Sequence, residues 1–175
     1  MGIIRNKNKR LAAAALLSSL AILLGYVEYL IPVVPPVAGI KLGLGNIAVL
    51  AAMMWLDSDK MAFFIMLTKI SLSALLFSGL GGFAYSAAGG FCSIAVMMAL
   101  RRNDKLSAAG VSCAGGAAHM AAQVAVAALI TSTPEVLYLT PLLTAVGTAT
   151  GFLNGLVVNL ADRTLNNYIG SEEFR

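Results

Sequence analysis

The chain has 175 residues, 59% of them hydrophobic and only 11% charged, with a formal net charge of +4; its mean hydropathy is +0.85. Soluble domains are about 25% charged, and no soluble fold could cover this much apolar surface, so the solvent must largely be lipid. The excess of cations does not signal nucleic acid, because their positions follow the ends of the apolar segments.

A spanning helix needs about 20 apolar residues. The first candidate covers residues 11–29, behind a basic stretch. It is long enough to span, and no clear small-residue cleavage site follows, so it reads as a retained helix rather than a signal peptide. Pro32, Pro35 and Pro36 end it by removing donors and forcing an extended path. The second helix covers 38–56 and closes at the polar turn Asp57-Ser-Asp-Lys60. The third covers 61–78 and ends at Gly79-Leu-Gly-Gly82; the fourth covers 83–100 and stops at Arg101-Arg-Asn-Asp-Lys105. The fifth covers 106–130, followed by the turn Thr131-Ser-Thr-Pro-Glu135 and a short helical piece near 136–139. The sixth covers 141–165 and leads into a polar tail. The sequence therefore predicts one all-α membrane domain of six transmembrane helices.

Ten of the twelve Lys and Arg residues fall at one end of these segments: Arg5, Lys7, Lys9, Arg10, Lys60, Arg101, Arg102, Lys105, Arg163 and Arg175. The positive-inside rule makes that end cytoplasmic and places both termini there. The exceptions are Lys41, expected at the outer mouth of the second helix, and Lys69, near the middle of the third. An ionisable group at membrane depth is costly and marks a candidate site. From mid-helix Lys69 cannot easily snorkel, so it should face the bundle interior. His119 and Gln123 are four residues apart and share a helix face. Asn46 and Asn154 also lie within predicted spans, and Glu28 faces Lys41 across the Pro-rich loop as a candidate ion pair. Together Glu28, Lys41, Asn46, Lys69, His119, Gln123 and Asn154 outline an outward-facing pocket for a small polar or anionic-headed compound.

Metal ligation is not expected. His119 has no second His or carboxylate at ligand spacing, and Cys92 and Cys113 form no CxxC or Cys/His pattern. Ser71, Ser73, Thr144 and Thr148 can bond back to their own helices. Small-residue stripes on the fifth helix (Gly110, Gly115, Gly116, Ala117, Ala118, Ala121) and the sixth (Gly147, Gly151, Gly155) read as internal packing faces. Ala12, Ala13, Ala14 and Ala15 on the first helix are the candidate docking face for another membrane subunit.

Four stretches resemble one family: Pro36-Val-Ala-Gly-Ile-Lys-Leu-Gly-Leu-Gly-Asn-Ile47, Gly81-Gly-Phe-Ala-Tyr-Ser-Ala-Ala-Gly-Gly90, Gly116-Ala-Ala-His119 with Gln123, and Gly151-Phe-Leu-Asn-Gly155. By these the chain is similar to the Gx transporter family, whose members carry the description heptaprenyl diphosphate synthase component I. It departs from the pattern at Gly45, where Ala is usual, and at Met120, where Asn often follows the His. That family in turn resembles the S components of energy-coupling factor transporters. The resemblance implies a multi-pass protein of a bacterial plasma membrane that captures its ligand from outside. It also implies docking on an energy-coupling transmembrane subunit driven by two ATPases, with ATP used by those partners and no cofactor in this chain. The fit of Ala12 to Ala15 to that docking role is one of composition.

Prenyl synthesis by the chain itself is not expected. Such synthases hold Mg²⁺ against diphosphate with paired Asp-rich motifs; here Asp57 and Asp59 are the only close pair of aspartates, in a short turn. An accessory role in prenyl diphosphate or quinone metabolism, or in a flavin- or quinone-linked electron-transfer complex, stays open as the alternative.

Overall fold

The computed structural model describes residues 6–31, 41–103 and 105–172, with side chains through residue 165. The Pro-rich loop, the expected first turns of the second helix, and the terminal cations Arg5 and Arg175 lie outside the described residues. Among the described residues six α-helices follow in order: α1 (Lys7–Leu30), α2 (Asn46–Trp55), α3 (Asp59–Ser73), α4 (Gly79–Leu100), α5 (Ala108–Thr131) and α6 (Thr140–Glu172). A π-helical turn, Ala74–Ser78, joins α3 to α4, and a 3₁₀ segment, Pro134–Leu139, joins α5 to α6 where the sequence indicated a short helical piece.

Three helix starts follow from local chemistry. The side chains of Asn6, Ser58 and Ser107 accept from the backbone N–H of Asn8 (2.9 Å), Met61 (3.3 Å) and Gly110 (3.2 Å), which satisfies otherwise orphaned donors. The expected glycine turn at 79–82 reduces to one residue: Gly79 takes φ +63°, open to glycine at no steric cost, and α4 begins there.

Helices consecutive in the chain run antiparallel. Cβ atoms built on glycines show the close approaches: Gly90 of α4 against Ile70 and Met66 of α3, Gly89 against His119 of α5, and Gly155 of α6 against Ala109 of α5. Asp59–Leu100 thus folds back on itself at Gly79. Four helical stretches are long and apolar enough to cross a membrane: Lys7–Leu30, Asp59–Leu100, Ala108–Thr131 and Pro134–Leu165. Their outward faces carry large apolar side chains, among them Leu16, Leu75, Leu80 and Leu129.

The second helix differs from expectation. Residues 41–45 are not helical, and α2 begins only at Asn46 and is 10 residues long. It is the hub of the bundle, packed against α1, α3, α5 and α6. Residues Ala48 to Met53 are at most 1% exposed. A single hydrophobic run cannot distinguish a spanning helix from a buried coil followed by a half-length helix.

The α5–α6 seam uses the predicted stripes. A Cβ on Gly116 would run into the Gly147 carbonyl oxygen, and one on Gly151 into that of Ser112. Backbone therefore lies on backbone along this interface. The alanines of α1 divide: Ala13 and Ala14 pack on the core, while Ala12 and Ala15 are exposed beside Leu16 and Ser19.

Candidate functional site

The non-helical segment 41–45 runs through the bundle interior, where every backbone polar group needs a partner. Side chains from three helices supply four of them. Gln123 Oε1 accepts from the Lys41 N–H (2.9 Å), and Glu28 Oε1 from the Leu44 N–H (2.6 Å). Thr150 Oγ1 donates to the Leu42 carbonyl (3.2 Å), and Asn154 Nδ2 to that of Gly43 (3.2 Å). Gly43 sits at φ +88°, and its carbonyl accepts from the Asn46 N–H (2.9 Å) to open α2.

A second layer joins the side chains. Lys69 Nζ donates to Asn46 Oδ1 (3.3 Å), and Gln123 Nε2 lies 2.9 Å from His119 Nε2. The backbone fixes the proton on the ring. The Lys41 N–H can only donate, so the oxygen of the Gln123 amide faces it and the NH₂ faces His119. His119 Nε2 therefore accepts, and Nδ1 carries the hydrogen, toward the Gly89 backbone. Asn46 Nδ2, 3.4 Å from Nδ1, is then a close approach of two donors rather than a bond.

Glycines make room for these groups. A Cβ on Gly89 would fall 2.7 Å from His119 Cε1; one on Gly45 would fall 2.6 Å from Lys69 Cε and 2.9 Å from the Ala21 carbonyl oxygen. Lys69 thus lies flat across Gly45, the position where this chain departs from the pattern it otherwise follows. The other departure, Met120, is fully buried in the apolar cluster around Tyr85 and Val124.

The sequence-derived candidates converge. Glu28, Lys41, Asn46, Lys69, His119 and Gln123 line one cavity of about 10 Å³, room for about one water, with Ser86 and Gly90 in its wall. Asn154 lines an adjoining space of similar size with Ser93, Ser112 and Thr150. Lys69 faces the interior as expected. Lys41 does not stand at the outer surface as expected: it is 7% exposed, held inside because the 41–45 coil enters the bundle. The expected Glu28–Lys41 ion pair does not form; Glu28 turns to the Leu44 N–H instead. Thr144 and Thr148 bond back to their own helix, as their positions suggested, but Ser73 does not: its Oγ is buried without a hydrogen-bond partner. Thr150 and Ser93 escaped the sequence reading, and Ser86 and Gly89 entered it only within the stretch 81–90 that carries the resemblance, with no site role. A glycine or hydroxyl in an apolar helix carries no local mark of what it faces; the Leu42 carbonyl that Thr150 meets is 108 residues away.

Residues 17–161 match the family model described as heptaprenyl diphosphate synthase component I. The chain belongs to this family. No curated protein and no solved structure matches it.

At the far end of α2, the chain uses its arginines on backbone and carboxylates. Arg10 Nη2 donates to the Leu56 carbonyl (2.8 Å) and Arg101 Nη1 to that of Met53 (3.0 Å), capping the orphan acceptors of a helix C-terminus. Arg101 also pairs with Asp57 (2.7 Å) and Asp59 (3.0 Å). The one close aspartate pair is therefore turned to a guanidinium. Among the described residues no group of three or more His, Cys, Asp or Glu is placed to hold a metal ion.

Proposed function

We propose that this chain is the ligand-capturing membrane subunit of an importer of the energy-coupling factor type. In this reading it crosses a bacterial plasma membrane six times, counting the 41–45 coil with α2 as one pass, with both termini in the cytoplasm. The observation that carries the proposal is the polar cluster built around a broken pass. A coil leads into a half-length helix, and charged and amide side chains from α1, α2, α3 and α5 surround the junction. Transporters place their binding sites at such discontinuous helices near the bilayer midplane. Lys69 lies about 15 Å from the start of α3 and His119 about 16 Å from the start of α5, half the depth of a hydrocarbon core.

The ligand is a small polar or anionic-headed compound, seated between Lys41 and Lys69. At about 10 Å³ the present cavity is occluded, so the ligand enters by displacement of the 41–45 coil and the Lys41 side chain. The chain itself is not catalytic in this reading. Its close aspartate pair is held by Arg101 rather than free to carry a metal–diphosphate complex, and energy comes from ATP hydrolysed by two partner ATPases. The exposed face of α1 around Ala12, Ala15, Leu16 and Ser19 is the proposed contact with the energy-coupling transmembrane subunit.

A second reading, an accessory subunit that holds a prenyl diphosphate or quinone, is favoured by the family's description and by one feature of the surface. A groove of about 460 Å³, lined by Ser71, Ala74, Leu75, Gly79, Leu80 and Phe83, runs beside the π turn and could take an apolar tail. Native mass spectrometry of the protein purified in mild detergent separates the two. A water-soluble small molecule, released by Lys69→Gln, supports the importer. A prenyl diphosphate or quinone overturns it in favour of the accessory role.

A further inference from the structure

Three charged side chains meet at the central cavity: Glu28 (4% exposed), Lys41 (7%) and Lys69 (7%). Buried charges need pairing and hydrogen bonds, and the shortest way to supply both is direct contact. The lysines are long and flexible, yet neither forms an ion pair with Glu28. Each charge is instead held away from the others by a neutral partner. Lys69 is laid across Gly45 onto Asn46 Oδ1, which engages one of its three donors. Glu28 is anchored through Oε1 to the Leu44 N–H, and its Oε2 is buried with no hydrogen-bond partner. The Lys41 ammonium stands 5.7 Å from the centre of the Phe77 ring. His119 and Gln123 hold each other and the Lys41 backbone, so they leave the recognition to the charged groups.

Ligand charge can be read from these separated partners. A simple anion would suit the two ammonium groups but leave Glu28 Oε2 unpaired and repelled. A simple amine would suit Glu28 and face two cations. We infer that the site takes a small zwitterion of the amino-acid type, its carboxylate between Lys41 and Lys69 and its ammonium on Glu28 Oε2. Charge-assisted bonds at both ends also fix the ligand's direction in the cavity. This inference rests on the binding role proposed above and narrows its substrate class.

The test is a thermal-shift and calorimetric titration of the full chain in mild detergent. The probes are the proteinogenic α-amino acids, the corresponding carboxylic acids lacking the amine, and the corresponding amines lacking the carboxylate. At least one amino acid should bind about tenfold or more tightly than both of its truncated counterparts, as expected when a buried polar partner is left unmatched. Glu28→Gln keeps an acceptor for the Leu44 N–H, so it should fold; it should abolish the preference for the amino acid over its deaminated acid. Lys69→Gln should weaken both. Equal binding of the deaminated acid, or a preference unchanged in Glu28→Gln, overturns the zwitterion assignment while leaving the binding role standing. A panel with no response also overturns it, and the mass-spectrometric search for a bound compound then judges the binding role separately.

Discussion

Two regions of this protein bring backbones close, and they do so for opposite ends. Along α5–α6, Gly116, Gly147, Gly151 and Gly155 remove side chains so that helix backbone meets helix backbone. Around residues 41–46, Gly43, Gly45 and Gly89 remove side chains so that polar groups can enter: Asn46, Lys69 and His119 occupy the space that a Cβ would take. The first region is a seam in which van der Waals contact drives association, as expected between helices in lipid. The second has a broken helix, satisfied backbone and incompletely satisfied side chains, among them Glu28 Oε2 and Asn154 Oδ1. Glycine alone therefore does not mark a site; what fills the space it leaves decides.

Substitutions at the seam should have the largest effect. Gly116→Val would drive a side chain into the Gly147 carbonyl and cost about 3 kcal/mol or more, since neither backbone can yield locally. Loss of the monodisperse peak in size-exclusion chromatography would report it; a normal peak would mean that the seam is looser than these contacts indicate. Gly45→Ala comes next and should split the two properties. Lys69 can swing aside, but the Ala21 carbonyl oxygen, 2.9 Å from the new Cβ, is backbone and must shift with α1, so stability should fall by about 2 kcal/mol, whereas ligand affinity should drop about tenfold with the displaced ammonium. A variant that kept full affinity would show that the pose of Lys69 across Gly45 is unimportant.

Smaller effects sharpen the same contrast at the bundle's end and in its hydroxyls. Arg101→Gln removes the pairing with Asp57 and Asp59 and a cap on the Met53 carbonyl. Because Arg101 is partly exposed, the expected loss is about 1 kcal/mol in thermal unfolding, with ligand binding unchanged. Smallest is the pair Thr150→Val and Thr148→Val. Thr150 reaches the Leu42 carbonyl on another element and Thr148 bonds only within α6, so the first should cost about 0.6 kcal/mol and the second nothing measurable. Equal effects would break the distinction between a bond that holds the coil and one that only decorates a helix.

The sequence by itself determined the class of the protein, the number of α-helices and most of their limits; α2 starts late, α3 gives way to the π turn at Ala74, and α6 runs on to Glu172. Hydropathy, proline and glycine punctuation, and the placement of cations are local or cumulative signals, and lipid as solvent makes them strong. It also marked Glu28, Lys41, Asn46, Lys69, His119, Gln123 and Asn154, because a polar group in an apolar run stands out whatever it touches. Only the tertiary structure decided that residues 41–45 are coil inside the bundle, since their hydrogen bonds run to Glu28, Gln123, Thr150 and Asn154 on other helices. An apolar run supplies its own backbone partners only as a helix, so the break is legible solely from the distant side chains that make it tolerable. The same holds for charge: the sequence counts two lysines and a glutamate, but whether they neutralise one another or wait apart for a ligand depends on the neutral groups that hold each in place.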